Sequence, residues 1–230
     1  MRDNHYMGND NPIVGVLKFG SRQHLEQLAT GRLHMNTLEY FIKLETCSLR
    51  GDSHEGTSHI FRGDGAKLHI KIEGQFRPVA ELRGPMRHRS DENLKVNVFC
   101  MYALRESPSG IFVDPRNFDF GDAFAILSDF DEFIKRVQAA VAGTGQLVQW
   151  GPVEYIDLSS YAGPVGIFRK DSSFSYQSEL RLALLPGYGS KHELEVGDIS
   201  DIVRIGASED LQHIKLQRYP EAENPPISSA

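Results

Sequence analysis

Three polar side chains late in the chain have the spacing of a strand that carries chemistry. In the segment FSYQSELRLAL, Gln177, Glu179 and Arg181 follow one another at intervals of two residues. Alternate residues of a strand lie on the same face, so a strand over 176–184 would place all three on one side. The other side carries the residues that we expect to be buried: Tyr176, Leu180, Leu182 and Leu184.

A Gln-x-Glu pair on a rigid strand could stabilise a sugar that becomes positively charged during a reaction. The carboxylate of Glu179 can hydrogen-bond a ribose hydroxyl and stabilise the positive charge that develops when a glycosidic bond breaks. The amide of Gln177 can position the acceptor. Half-exposed strands with a solvated polar face have the same pattern, so the pattern alone leaves both interpretations open.

A second charged cluster is the segment RGDSHEG, which begins at Arg50. Its two glycines predict a tight loop with unusual backbone dihedrals. Asp52, His54, Glu55 and His59 are possible ligands of a divalent metal, but their spacing matches no established zinc pattern. The alternative is an ion pair of Arg50 with Asp52 or Glu55 that holds the loop together.

A third group lies where the first strand meets the first helix. The order strand, Gly-Ser, helix around Lys18, Ser21 and Arg22 is one way to present backbone N–H groups to a phosphate. Asn36 precedes a second helix and is either part of this site or only the cap of that helix. The sequence contains no P-loop, G-x-G-x-x-G, nucleophile elbow or H-E-x-x-H motif.

Composition argues against a global attraction to nucleic acid. The chain has 230 residues, a formal net charge of −6 and a pI near 5.8, so it lacks a general basic field. One local exception is a cluster that could contact phosphates or could simply be solvated surface: Arg77, Arg83, Arg87, His88 and Arg89.

The cellular location predicted from composition is cytoplasmic. Cys47 and Cys100 follow no disulfide-framework or metal spacing, which is typical of reduced cysteines. The sequence has no apolar run of the roughly 20 residues that cross a bilayer, and its polar start lacks the apolar core of a signal peptide. We therefore expect no membrane partner.

The elements that must position these groups predict an α+β fold. We expect helices after Ser21, over 38–44 and over 131–143, and more strands than helices, without regular βαβ alternation. This order predicts a largely antiparallel sheet, split or sandwich-like, with a few packed helices. We expect a single domain over 13–218 and flexible tails at 1–12 and 219–230.

The order of these motifs resembles a known group of proteins. GRLHMNTLEYF (31–41), RGDSHEG (50–56), FRKDSSFSYQSELRLAL (168–184) and GDISDI (197–202) together resemble a family of uncharacterised bacterial and phage-associated proteins, some linked to abortive-infection systems. The resemblance covers most of 13–206.

A weaker similarity is to ADP-ribosyltransferases, including toxins that modify DNA. It implies that Glu179 is the catalytic glutamate and Gln177 its partner. It also implies that NAD is the substrate. The residues assigned to NAD are Lys18, Ser21, Arg22, Asn36 and Arg50, with its diphosphate at 18–22; those assigned to the surrounding charged site are Asp52, Glu55 and Arg181.

Two hypotheses follow from these observations. The first is an NAD-consuming, ADP-ribosyltransferase-like protein in phage defence or a toxin–antitoxin system, with a nucleic acid or a protein as acceptor. The second is a non-catalytic interaction protein, such as an antitoxin or a defence sensor, bound to its cognate partner. In that case Glu179 or Glu55 would form structural ion pairs with Arg181 or Arg50.

Overall fold

The computed structural model describes residues 11–44, 54–107, 110–215 and 217. Arg50, Asp52 and Cys47 lie outside the described residues, as do the predicted tails apart from residues 11 and 12.

The described chain contains more strand than helix. The strands are β1 Ile13–Gly20, β2 Arg32–Thr37, β3 Thr57–Arg62, β4 Lys67–Ile72, β5 Gln75–Glu81, β6 Pro85–Arg89, β7 Asn97–Ser107, β8 Gly110–Ile111, β9 Ala123–Leu127, β10 Leu147–Pro152, β11 Glu154–Ile156, β12 Gly163–Pro164, β13 Arg169–Asp171, β14 Glu179–Leu185, β15 His192–Glu195 and β16 Val203–Ala207. The α-helices are α1 Arg22–Ala29, α2 Leu38–Leu44, α3 Asp91–Leu94 and α4 Phe130–Val141. In the part of the chain that the structure describes, 3₁₀ helices cover Pro115–Phe120, Ser172–Gln177 and Ser208–His213. Within the described segments, no helix has both the length and the apolar character needed to cross a membrane.

The main sheet has the strand order β10-β14-β7-β1-β9-β16, with every described pair antiparallel. β2 also pairs with β7, and β15 pairs with β2. Smaller sheets are formed by β12-β3-β6, by β4-β5 and by the parallel pair β11-β13. The predicted α+β class with a largely antiparallel sheet is confirmed.

The main sheet has an opening beside β7. β1 pairs with β7 as far as Leu17 opposite Tyr102, and its last residues pair only with β9. β2 pairs with β7 at two positions, Asn36 opposite Val98 and Thr37 opposite Asn97. Between Val98 and Tyr102, this edge of β7 therefore faces a space where β1 and β2 diverge.

Alternate residues of β7 contribute to two different cores. Phe99 and Met101 belong to a cluster that also contains Leu25 of α1 and Phe133 of α4. Tyr102 belongs to a second cluster with residues of β1. Because successive strand residues point to opposite faces, α1 and α4 cover one face of the sheet and the second cluster lies on the other.

The predicted start of α1 at Ser21 is present, and the helix ends in a glycine turn. Ser21 caps the helix, since its hydroxyl accepts a hydrogen bond from the His24 backbone N–H at 3.4 Å. Gly31 follows the last turn with φ of +91°, and a Cβ there would collide with the carbonyl of Gly197. Glycine at this position therefore allows both the left-handed turn and the close approach.

The prediction of a strand over 176–184 was wrong for its first residues. Asp171 accepts a hydrogen bond from the Ser173 backbone N–H and starts the 3₁₀ helix Ser172–Gln177. Ser178 then has a left-handed φ of +39°, which ends the turn before the strand begins at Glu179. Gln177 is therefore not a strand residue, and Tyr176 does not share a face with the leucines.

β14 is also more deeply buried than the alternating pattern suggested. We expected one apolar face and one open polar face, but the strand is buried on both. Leu180 and Leu182 pack in the same cluster as α1 and α4. Ala183 packs on the other side with Val98, so the polar side chains on that side are enclosed by protein.

Candidate functional site

A cavity of about 1150 Å³ occupies the opening beside β7. It brings together most of the site residues predicted from the sequence: Lys18, Ser21, Asn36, Glu55, Gln177, Glu179 and Arg181. Arg22 is not among the lining residues, and its backbone N–H donates to Asp122 Oδ1 at 3.2 Å. Arg50 and Asp52 lie outside the described residues.

Arg181 is the centre of a buried network at one side of the cavity. Its guanidinium donates to both carboxylate oxygens of Glu55, at 2.9 and 2.7 Å, and its Nε donates to Glu179 Oε1 at 2.6 Å. A further bond of 2.6 Å reaches the carbonyl of Ile167. Only 2% of Arg181 is exposed, so this side chain holds two segments together.

Lys170 completes the network and was not predicted as a site residue. Its Nζ lies 2.8 Å from Glu179 Oε2 and donates to Gln177 Oε1 at 2.8 Å. Glu55 Oε2 is 3.7 Å away. The only sequence signal was its place in the FRKDSSFSYQSE motif, which does not itself indicate that a lysine would be buried.

Among the described residues, the network pairs two basic side chains with two acidic ones. Glu179 and Arg181 are two residues apart on the same face of β14, as the period of a strand requires. The backbone N–H of Glu179 donates to the hydroxyl of Tyr155 on β11 at 2.8 Å. Because β11 pairs with β13, which carries Lys170, this small sheet covers the start of β14.

The charges of the network determine its protonation. Burial raises the pKa of the Glu179 carboxyl, but Arg181 and Lys170 outweigh burial and hold that pKa well below its usual range. Burial lowers the pKa of Lys170 and of Arg181, yet the carboxylates of Glu179 and Glu55 outweigh it, so both values are raised. All three groups are therefore charged near neutral pH.

Two neutral groups lie beside Glu179. Burial, followed by the charge of Glu179, raises the pKa of the Cys100 thiol to about 12. The same two causes raise the pKa of the Tyr155 hydroxyl. Cys100 is directly opposite Arg181 in the β7–β14 pairing and lines the cavity. Because it is protonated at neutral pH, its thiol is a poor nucleophile.

Away from the network, the cavity lining is mainly cationic. Lys18, Arg32 and Lys191 line it, and Asp122 is the acidic residue of this part of the lining. The Nζ of Lys18 lies 5.1 Å from the centre of the Phe99 ring. On a protein with a net charge of −6, a cavity with more cations than carboxylates favours an anionic ligand.

The first turn of α1 is largely occupied by protein acceptors. The N–H groups of Arg22 and His24 donate to Asp122 and Ser21, and the N–H of Leu25 donates to the Ser21 carbonyl. A phosphate at this junction would therefore depend on Lys18 more than on the helix N-terminus that the sequence suggested.

The described part of the 50–56 loop contributes a carboxylate to the interior. Glu55 is 4% exposed and bound to Arg181. Among the described residues, no group of three or more His, Cys, Asp or Glu side chains is arranged to hold a metal ion. The position of Glu55 is that of an ion-pair partner.

The depressed pKa of Glu179 predicts how stability depends on pH. Its contribution is complete above the ordinary carboxyl pKa of 4.5 and is lost as the pH falls further. The raised pKa of Lys170 gives a contribution that is complete below its ordinary value of 10.5 and is lost at higher pH. We expect the free energy of unfolding to decline on both sides of this window, as measured by urea denaturation from pH 3 to 11.

The Glu179→Gln variant separates this contribution from those of other carboxyl groups. The free energy of unfolding of this variant should decline less steeply than that of wild type between pH 5 and 3, because the variant lacks the carboxylate whose protonation is linked to unfolding. Glu39→Gln, at an exposed ion pair with Lys43, is the control and should retain the wild-type slope. Equal slopes for wild type and Glu179→Gln would contradict the prediction.

Comparison with protein families, with curated proteins and with solved structures finds no match for this chain. Its function must therefore be inferred from the cavity itself.

Proposed function

We propose that the protein is an NAD-consuming enzyme of the ADP-ribosyltransferase type. The observation that carries this proposal is the position of Glu179, an ionised carboxylate held by Lys170 and Arg181 at the wall of a large cationic cavity. Such a group suits a reaction in which positive charge develops on a sugar.

The size and lining of the cavity support a dinucleotide. Pockets for drug-sized ligands measure roughly 300–1,000 Å³, and this cavity reaches about 1150 Å³. Lys18, Arg32 and Lys191 supply positive charge for a diphosphate. Apolar ring surface for the nicotinamide and adenine rings is available on Tyr40, which is exposed, and on Phe41 and Phe120, which are half-buried.

In the proposed reaction, the bond between the ribose and the nicotinamide nitrogen breaks and its electron pair leaves with nicotinamide. The ribose becomes cationic as that bond lengthens. Glu179 stabilises this charge, and the neighbouring cations keep its carboxylate ionised and fixed in direction. A carboxylate fixed before the reaction requires little rearrangement as the transition state forms.

Gln177 is proposed to position the acceptor. Lys170 donates to Gln177 Oε1, which fixes the amide plane beside Glu179. The nucleophile of the acceptor, or water, then takes the place of nicotinamide on the ribose carbon and releases its proton to solvent. Gln177 thus retains the role implied by the resemblance, although it lies on a 3₁₀ helix rather than on the strand.

A non-catalytic interaction protein is the second candidate, and one observation favours it. Arg181 and Glu55 are almost fully buried and bind each other through two hydrogen bonds. Ion pairs of this kind can serve the fold alone. The two candidates differ in what they require of the cavity, since an interaction protein has no need to bind NAD.

Wild-type protein titrated with NAD by calorimetry, with nicotinamide release followed by chromatography, tests the proposal. We expect saturable binding and release of nicotinamide at a rate proportional to enzyme concentration. Lys18→Gln should weaken binding about tenfold, the equivalent of one charge-assisted contact of about 1.4 kcal/mol, whereas Lys135→Gln on the exposed face of α4 should not. If the protein neither binds NAD nor releases nicotinamide at millimolar NAD, the interaction protein becomes the better candidate.

A further inference from the structure

Residues 57–89 form one long arm that is two-stranded in its outer half, while in its inner half β3 also pairs with the short strand β12. The β3–β6 pair and the β4–β5 pair follow each other along it, joined by a hydrogen bond from Gly63 N to Gly84 O at 3.3 Å and one from Leu82 N to Ala66 O at 2.7 Å. The arm turns back at Glu73 and Gly74, which both have positive φ values. We call this segment the β-arm.

The outer half of the β-arm has little support from the rest of the protein. Every residue of β4 and β5 is exposed, and in the described chain these strands contact mainly each other. Of the 13 large hydrophobic residues described as exposed, seven lie between residues 61 and 86. A lone two-stranded ribbon is marginally stable in water, and such a concentration of exposed apolar groups marks an interaction surface.

The β-arm is also the basic part of an acidic protein. Residues 57–89 contain seven Lys or Arg and three Asp or Glu, which leaves eighteen basic and 28 acidic residues for the rest of the chain. The cations lie along both strands: Arg62, Lys67, Lys71, Arg77, Arg83, Arg87 and Arg89. Their sign is opposite to that of the remaining chain, so the β-arm attracts polyanions that the rest of the protein repels.

The strand register places an aromatic ring beside a lysine near the end of the arm. Lys71 is opposite Phe76, and His69 is opposite Pro78; residues opposite each other share a face. Lys67 lies two positions before His69 and is on the same side, with Glu81 opposite it, whereas Arg77 is opposite Ile70 on the other face. Phe76 is 71% exposed and stands next to the turn at the end of the arm.

We propose that the β-arm binds nucleic acid. A two-stranded ribbon has a width that a DNA major groove admits, and lysine and arginine along its length can bind successive phosphates. Phe76 at the tip can stack on a base or insert between base steps. The proposal uses no residue of the cavity, and so does not depend on NAD chemistry.

The distribution of the cations favours a linear polyanion over a compact acidic protein surface. Lys67 and Lys71 on β4 are four residues apart, which is about 13 Å at 3.3 Å per residue. Arg62 ends β3, on the other side of a turn that is closed by the bond from Ala66 N to Gly63 O. The charge is thus spread along the β-arm and is not gathered at one point. A duplex or a single strand offers phosphates over the whole of this length.

Fluorescence anisotropy of the full chain with a labelled duplex of about 30 base pairs, and with a matched single strand, tests the proposal. The arm variant is Lys67→Gln, Lys71→Gln, Arg77→Gln. The control removes the same charge from exposed sites elsewhere: Lys43→Gln, Lys135→Gln, Lys215→Gln. At low salt we expect the arm variant to bind at least about tenfold more weakly and to lose about three units of salt slope, one for each lost phosphate contact. The control should remain close to wild type.

Phe76→Ala tests the tip separately from the charge. It should weaken single-strand binding about tenfold through the lost stacking while leaving the salt slope unchanged. Circular dichroism of each variant establishes that the fold is retained. The proposal would be overturned if the wild-type protein failed to bind nucleic acid at about 10 μM protein in low salt. It would also be overturned if the arm variant and the control lost equal affinity. Self-association that Phe76→Ala abolishes, in protein that binds neither nucleic acid, would also overturn it and would assign the β-arm to a second copy of the chain.

Discussion

Glu179→Gln should reduce the rate of nicotinamide release from NAD by about 100-fold or more, with a much smaller effect on NAD affinity. The substitution keeps the size of the side chain but removes the negative charge that would face the ribose as nicotinamide leaves. Removing one electrostatic contact to a developing charge costs about 10²–10³ in rate. Single-turnover release, together with calorimetric binding of NAD, separates the loss of rate from a loss of affinity.

Glu55→Gln is the matched control for this experiment. Like Glu179, Glu55 is a buried carboxylate bound to Arg181, so both variants remove one negative charge from the same network. Glu55 binds Arg181 through both carboxylate oxygens and lies 3.7 Å from Lys170, whereas Glu179 lies 2.8 Å from Lys170, which also binds Gln177. The proposal assigns only Glu179 to the reaction. We expect Glu55→Gln to lose stability comparably and to retain most of the activity.

The two variants together distinguish chemistry from folding. If both lose activity in proportion to their loss of stability, the network is structural and Glu179 has no special part in the reaction. If Glu179→Gln retains the wild-type rate, the proposed enzymatic role of Glu179 is wrong.

Arg181→Met should lower the free energy of unfolding by about 3–5 kcal/mol, the usual cost of removing one partner from a buried ion pair. The variant leaves the carboxylates of Glu55 and Glu179 buried, with Lys170 as the cation that remains in the network. Because whole domains are stable by about 5–15 kcal/mol, this loss would bring the protein close to unfolding. Urea denaturation at neutral pH measures the loss.

A second substitution tests the cause of that loss. Arg181→Met combined with Glu55→Gln should recover part of the stability, because one of the uncompensated carboxylates is removed. Arg136→Met is the control, since Arg136 also binds two carboxylates, Glu132 and Asp201, but at the surface of α4. A loss for Arg181→Met no greater than that for Arg136→Met would show that the buried network contributes little.

Several local features of the fold could be predicted from the sequence alone. The cap at Ser21, the turn at Gly31 and the amphipathic helix α4 follow from neighbouring side chains and backbone preferences, which act over a few positions. The α+β class follows from the succession of such elements. The strand period likewise placed Glu179 and Arg181 on one face, because alternation is a local property of extended chain.

Local preference failed at Gln177. Its sequence alternates as a strand should, yet Asp171 starts a helical turn and Ser178 ends it with a left-handed backbone, stabilised by a hydrogen bond from its hydroxyl to the carbonyl of Ala103. That partner lies 75 residues away in the sequence. The cap at Asp171 is local, but the contact between Ser178 and Ala103 lies outside any window of neighbouring residues.

The site itself was decided by tertiary structure. Glu55 meets Arg181 across 126 positions, and Lys170 reaches Glu179 only because β13 covers the start of β14. The cavity exists because β1 and β2 diverge beside β7, a result of how whole strands pair. The sequence pattern left open whether Glu179 and Arg181 lie in a site or on a solvated face. Burial against distant opposite charges makes them a fixed, ionised network, since the Coulomb energy of such a pair depends on the separation in space and on the surrounding protein.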